Sequence, residues 1–132
     1  MAESPWRPLD PTGTPPAFFE AMALRNLGAL DQAIDRMEFA RKQIPHRYHI
    51  LNNLGLMYLE NKDIKKAEEV FSTAIKFHPT QYQTFEHLSL CFMQLGKNDE
   101  ALKLLERIPE SAIRSSARSN LEHLRNHKTR GF

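Results

Sequence analysis

The sequence predicts an all-α fold, an α-solenoid of three helix pairs closed by a C-terminal capping helix. Three observations lead there. From Pro15 onward apolar residues recur at helical spacing, strand-like alternation is absent and β-branched residues are sparse. Breaking residues punctuate the chain at regular intervals: Gly28, Pro45, Asn61 to Asp63, Pro79, Gly96 and Pro109. The chain also repeats itself at a step of 34 residues. That step superposes Ala33, Ala67 and Ala101, and likewise Met37, Phe71 and Leu105. It brings Pro45 onto Pro79, Leu54 onto Leu88 and Tyr58 onto Phe92, and Gly28 lies two steps before Gly96. A fixed period of this length, with two helices per unit, signals units that bury their apolar faces against one another.

The elements follow in order. Five of the eight prolines lie in the first 16 residues. Proline fixes φ and lacks an N–H, so residues 1–13 are expected as an extended linker or tail, with Trp6 its only large anchor. The punctuation then places helices near 15–27 and 31–43, 48–60 and 64–77, 82–95 and 98–107. These pairs define repeats 14–47, 48–81 and 82–115, and the short connections make neighbouring helices antiparallel. Ala33, Ala67 and Ala101 are small where two helices cross, and Gly55 and Ser89 permit close approach. Tyr58, Phe71, Phe85 and Phe92 are bulky enough to fill the gaps between units. A helix over 111–127, overlapping the end of the third repeat, presents Ile113, Ala117, Leu121 and Leu124 as a stripe that caps the last open face. Residues 128–132 form a basic tail.

The second unit resembles the tetratricopeptide repeat. It reads Leu51-x2-Leu54-Gly55-x2-Tyr58, then Ala67-x3-Phe71, then Pro79, the spacing of that family's signature. The third unit matches less fully, with Phe85, Leu88, Ser89, Phe92, Ala101 and Leu105, and its proline arrives early as Pro109. The first unit matches in its second helix through Ala33, Met37, Ala40 and Pro45, but carries Glu20 where a leucine is expected. The resemblance covers about three-quarters of the chain.

This resemblance implies protein recognition along a concave surface lined by the first helix of each pair. On that implication the partner-binding residues are Phe18, Met22 and Arg25 from the first unit. The second contributes His49, Asn52, Asn53, Leu56 and Leu59, and the third Gln83, Glu86, His87, Leu90 and Met93. Met22, Leu56 and Leu90 occupy one repeat position, where the family often has a polar residue. An aligned apolar stripe on an open face is a candidate binding surface, for a protein or peptide partner, for a second copy or for the chain's own N-terminal segment. Asn52, Asn53 and Glu86 are expected to bond a peptide backbone across it. The family's chaperone-tail binders use a clamp of lysine, asparagine and arginine. The matching positions here hold Phe18, Met22, Asn53, Gln83 and His87, of which only Asn53 fits, so a Glu-Glu-Val-Asp tail is not the expected ligand.

Catalytic chemistry has little to rest on, and no enzyme activity, cofactor or metal is expected. There is no phosphate-binding Gly-rich loop after a strand and no G-x-S-x-G elbow. His123 and His127 are four apart, but Leu124 stands where a zinc protease has its glutamate. His87 and Cys91 share that spacing and read as a groove or surface histidine beside a core thiol. Glu68 and Glu69 are adjacent in a helix, so they diverge.

Composition bounds the rest. The 132 residues are 41% hydrophobic and 26% charged with net charge +2, an ordinary globular balance that names no polyanionic partner. From Ser111 onward there are five Lys or Arg and one acidic residue, +4 against −2 for the remainder. Nucleic-acid binding by that basic helix is therefore an alternative, although it lacks interleaved aromatics for stacking on bases. Cys91 is the single cysteine, so no intrachain disulfide forms. No apolar run or signal-peptide core is present, which fits the cytoplasm for the chain as given. The Asn-Asn-Leu-Gly form of the repeat is also similar to soluble repeat tails of bacterial membrane polymerases and ligases of glycans. In that alternative the chain is a periplasmic fragment of an envelope protein.

Overall fold

The computed structural model describes residues 13–129, and the expectations for Trp6, the proline-rich segment through residue 12 and the last three residues lie outside them. Seven helices follow one another, with no strand among the described residues: α1 Pro16–Asn26, α2 Leu30–Gln43, α3 Tyr48–Glu60, α4 Ile64–Phe77, α5 Tyr82–Gln94, α6 Asn98–Glu106 and α7 Ser115–Thr129. Each packs on the next, and α3 also touches α5, so stacked pairs share one continuous core.

The turns inside the three pairs are one device used three times. Gly28, Lys62 and Gly96 are spaced by the repeat and carry φ of +83°, +66° and +78°. The amide that follows each turn residue reaches back to close the helix. Ala29 N donates to Leu24 O at 2.9 Å, Asp63 N to Tyr58 O at 2.9 Å, and Lys97 N to Phe92 O at 2.7 Å. Glycine suits a left-handed residue and lysine does not, so unit 2 carries local strain at Lys62.

Packing inside each pair is set by a small residue facing a large one. Ala33, Ala67 and Ala101 are all fully buried. A Cβ added at Gly55 would meet Phe71 Cε1 at 2.4 Å, so the aromatic ring occupies the space of the missing side chain. The equivalent positions hold Ala21 with Met37 and Ser89 with Leu105, a larger residue on the first helix wherever the second helix has no ring.

The ends of the stack explain the poor first unit. Leu54 and Leu88 are buried between units, as are Val70 and Leu104. Their counterparts in unit 1 are Glu20 and Arg36, which meet no further unit among the described residues and form an ion pair at 2.6 Å. A terminal repeat needs a polar outer face, and this pair provides one. Beside it Phe19 and Phe39 remain about half exposed, with the Arg36 guanidinium 4.9 Å above the Phe39 ring.

At the other end α7 buries Ala117, Leu121 and Leu124. It starts four residues later than the expected 111. Residues 110–112 turn, and the amides of Ala112 and Ile113 both donate to Pro109 O, at 2.9 and 3.1 Å. Ile113 therefore packs on the core from a turn, half-buried, and not from a helix.

Two stability changes follow. Gly55→Ala gains helix propensity but overpacks Phe71, and is expected to destabilise by about 1–3 kcal/mol. The added Phe71→Leu should recover part of that loss in urea melts; no loss from Gly55→Ala alone would overturn the account. Lys62→Gly relieves the left-handed lysine and should raise stability by up to about 1 kcal/mol in the same assay.

Candidate functional site

The residues expected to line the recognition surface lie on α1, α3 and α5. The structure gives them unequal roles. Phe18, Met22, Leu56, Leu59 and Met93 are half-buried and pack against the core from its open side. Leu90 is half-buried as well. His49 and Gln83 are exposed. Arg25 pairs with Glu60 and so ties the end of α1 to the end of α3.

Glu86 is a correction. It was expected to meet a peptide across the groove, but it is only 6% exposed. Its carboxylate accepts from Arg114 Nε at 3.1 Å and from Ser116 Oγ at 2.5 Å. These groups come from the turn before α7 and its first turn, where a carboxylate also complements the helix dipole. Glu86 thus anchors the capping helix. Asn53 is partly committed too, because its Nδ2 donates to His49 O at 2.8 Å.

Two polar atoms of this surface are buried without a hydrogen-bond partner: Asn52 Oδ1 and His87 Nδ1. A buried polar atom left unmatched costs of the order of 1–3 kcal/mol, so these two need an explanation. The His87 ring packs 5.4 Å from the Phe71 ring. Burial lowers its pKa below the ordinary 6.5; nearby Glu86 opposes that and Arg114 adds to it. Cys91, one turn on, is fully buried, and burial pushes its thiol up to about 12.

The basic C-terminal helix offers fewer free charges than its composition suggests. Arg114 pairs with Glu86 at 3.1 Å, Arg118 with Glu110 at 2.5 Å and Arg125 with Glu106 at 3.3 Å. His123 and His127 meet edge to face with centroids 4.7 Å apart. Among the described residues no three His, Cys, Asp or Glu side chains gather as metal ligands, and no helix is long and apolar enough to cross a membrane.

Sequence reasoning missed the apolar side chains that are most exposed, Phe19, Leu27, Phe39 and Phe77. Phe19 aligns with Asn53 and His87 at the repeat step, and that mismatch was the available signal.

His87 gives a pH test. Its folded pKa is depressed, so its contribution is present above about pH 6.5 and is lost as pH falls, when the unfolded chain takes up the proton more readily. Wild-type stability should therefore drop between pH 6.5 and 5 by more than that of His87→Phe; equal slopes would refute it.

Comparison with known proteins agrees with this architecture. Residues 20–82 match the tetratricopeptide repeat family model. Over 64 residues the chain is 31% identical to the TPR repeat-containing protein YsoA of Bacillus subtilis, a match that takes in 48% of this chain and 19% of that relative. Among solved structures, a tetratricopeptide repeat protein from Parabacteroides merdae superposes with a TM-score of 0.78 at 21% identity, over 92% of this chain and 49% of that one. The first TPR of Spaghetti (RPAP3), bound to the HSP90 peptide SRMEEVD, gives 0.77 at 19% identity over 86% and 90%. The Yersinia enterocolitica type III secretion chaperone SycD, in complex with a YopD peptide, gives 0.75 at 17% over 85% and 92%. Over residues 20–82 the sequence thus matches the tetratricopeptide repeat family, and the fold of the chain is the one these repeat proteins share.

Proposed function

We propose that the chain is a non-catalytic protein-interaction module that holds a peptide or helix against the row of first helices α1, α3 and α5. One observation carries this reading. Met22, Leu56 and Leu90 recur at a single repeat position, all half-buried on the open side of the core, next to the unmatched Asn52 Oδ1 and His87 Nδ1. An apolar stripe with a few convergent polar groups is the usual chemistry of a peptide groove. Two structural neighbours were solved with peptides, which supports the same reading. The expected ligand is apolar or mixed. It is not an acidic tail held by a clamp, since Phe18, Met22, Gln83 and His87 supply none of the cations such a clamp uses. Phe18, Met22, Leu56 and Leu90 serve as anchors, flanked by Leu59 and Met93, whose thioether adapts to irregular shapes.

The test is a pull-down with the full chain, read by mass spectrometry. Leu90→Asp alone, and with Leu56→Ser, should remove the specific partners while the helical circular dichroism is kept. An exposed α4 control, Lys65→Asp, should retain them. An unchanged partner set in both groove variants would sink the proposal.

A further inference from the structure

The repeat makes the molecule its own control, because equivalent grooves between successive units can be compared residue by residue. The first groove lies between α2 and α4 over α3 and is bridged by a polar chain, beside which about 270 Å³ stays open with a polar lining that includes Asp31, Glu38, Asp63 and Lys66. Tyr58 donates its hydroxyl to Glu38, burial together with that carboxylate raising the phenol's pKa. Arg41 lies 3.9 Å from Glu38 and 3.0 Å from Glu69. Thr73 donates to Glu69 O at 3.0 Å, and Lys66 Nζ sits 5.7 Å from the centre of the Tyr58 ring.

One repeat later every link is broken. Phe92 replaces Tyr58, Ser72 replaces Glu38, Ile75 replaces Arg41, and Lys103 and Arg107 replace Glu69 and Thr73. The space they bridged is a cavity of about 340 Å³ between α4 and α6, floored by Phe92 and Leu88 of α5. Ile75 and Leu104 make its walls apolar. Its α6 lip carries Lys103 and Arg107, four residues apart, with Glu100 the only acidic residue of the lining. Like charges at that spacing repel one another. Neither cation has a carboxylate partner among the described residues, and Arg107 rests 4.8 Å from the Phe85 ring centre.

We propose that this groove between α4 and α6, whose lining shares no residue with the expected first-helix surface, is a second docking site that takes a bulky apolar side chain flanked by carboxylates from a partner polypeptide. The first groove shows what chemistry is missing. There Glu38 sits between Arg41 and the Tyr58 hydroxyl; here Ser72 stands in its place, Lys103 and Arg107 replace Glu69 and Thr73, and a carboxylate for these two cations comes from outside. The apolar floor receives the side chain, and Lys103 and Arg107 receive the acid. An apolar segment with basic flanks is excluded by the same two charges.

The full chain, labelled with nitrogen-15, is titrated with the blocked peptide Ser-Leu-Trp-Glu-Glu-Ser and with its counterpart carrying lysines in place of the glutamates. The expected result is saturable amide shifts at Ser72, Ile75, Phe92 and Lys103, with the acidic peptide bound roughly five- to tenfold more tightly, the worth of two exposed charge pairs. The triple variant Ser72→Glu, Ile75→Arg, Phe92→Tyr installs the counterparts of Glu38, Arg41 and Tyr58 of the first groove, supplies the cations with a carboxylate of the chain itself, and should abolish the shift at Lys103. The surface variant Lys103→Glu with Arg107→Glu leaves the cavity open and should reverse the charge preference, which keeps the test decisive if the triple variant misfolds. Absence of saturable shifts with either peptide overturns the proposal, as does equal affinity for both. Shifts confined to Met22, Leu56 and Leu90 would overturn it while supporting the first-helix groove. Shifts at the same α4 and α6 amides on simple concentration of the chain would assign the groove to a second copy instead.

Discussion

The structure depends on how closely two helices of one unit can approach. That distance is governed by a pair of positions, occupied by Ala21 and Met37, Gly55 and Phe71, Ser89 and Leu105. The Phe71 ring lies where a Cβ at Gly55 would be, so the aromatic residue and the absence of a side chain are one decision. Close approach inside the pair is what leaves Leu54, Val70, Leu88 and Leu104 correctly placed to be buried between pairs. Stacking then propagates that placement along the array, since each unit completes its core against its neighbours.

A stack built this way must be stopped, and the two ends are stopped differently. At the N-terminal end the two apolar positions of the stacking face become Glu20 and Arg36. An exposed ion pair of this kind contributes little stability, about 0–1 kcal/mol. Its effect is to remove apolar area that would otherwise attract another unit. At the C-terminal end the stacking face stays apolar and is covered by α7. The placement of α7 relies on a buried group, Glu86, which accepts from Arg114 and Ser116. Truncating one partner of such a buried contact costs more than an exposed pair, because the other is left unmatched.

This contrast marks what was legible in the sequence. The repeat step, the helix order and the turn glycines were readable because they depend on residues near in sequence and on a period that recurs. The turn at residues 61–63 was marked by Asn61 and Asp63, but its left-handed residue was not, since a lysine stands where the other two turns have glycine. Glu20 looked like a flaw in a repeat and pairs with Arg36 on the outer face of the first unit. Glu86 looked like a groove residue because its counterpart, Asn52, stands at the same repeat position. Only the turn after Pro109, which brings Arg114 over α5, distinguishes the two. Periodicity predicts what equivalent residues share. It is silent where the surroundings stop being equivalent, which is at the ends.

The same reasoning bears on where recognition chemistry can reside. Scaffold positions repeat because every unit needs them, so residues that break the period without loss of packing are free to serve something else. Met22, Leu56 and Leu90 repeat faithfully, but at a position the stack does not require to be apolar; their constancy reads as one continuous surface. Tyr58 and Phe92, Glu38 and Ser72, and Arg41 and Ile75 differ at positions where the stack accepts either chemistry. The polar version bridges its groove through a chain of contacts from Tyr58 to Thr73 and leaves about 270 Å³ with a polar lining. The apolar version leaves about 340 Å³ open beneath two cations. Filling that space with one more methylene-rich side chain would have been the simpler route to stability, because voids next to a core forfeit dispersion contacts. Both units leave such a groove open, so what sets the second apart is its lining: apolar side chains beneath Lys103 and Arg107 in place of a bridged polar network.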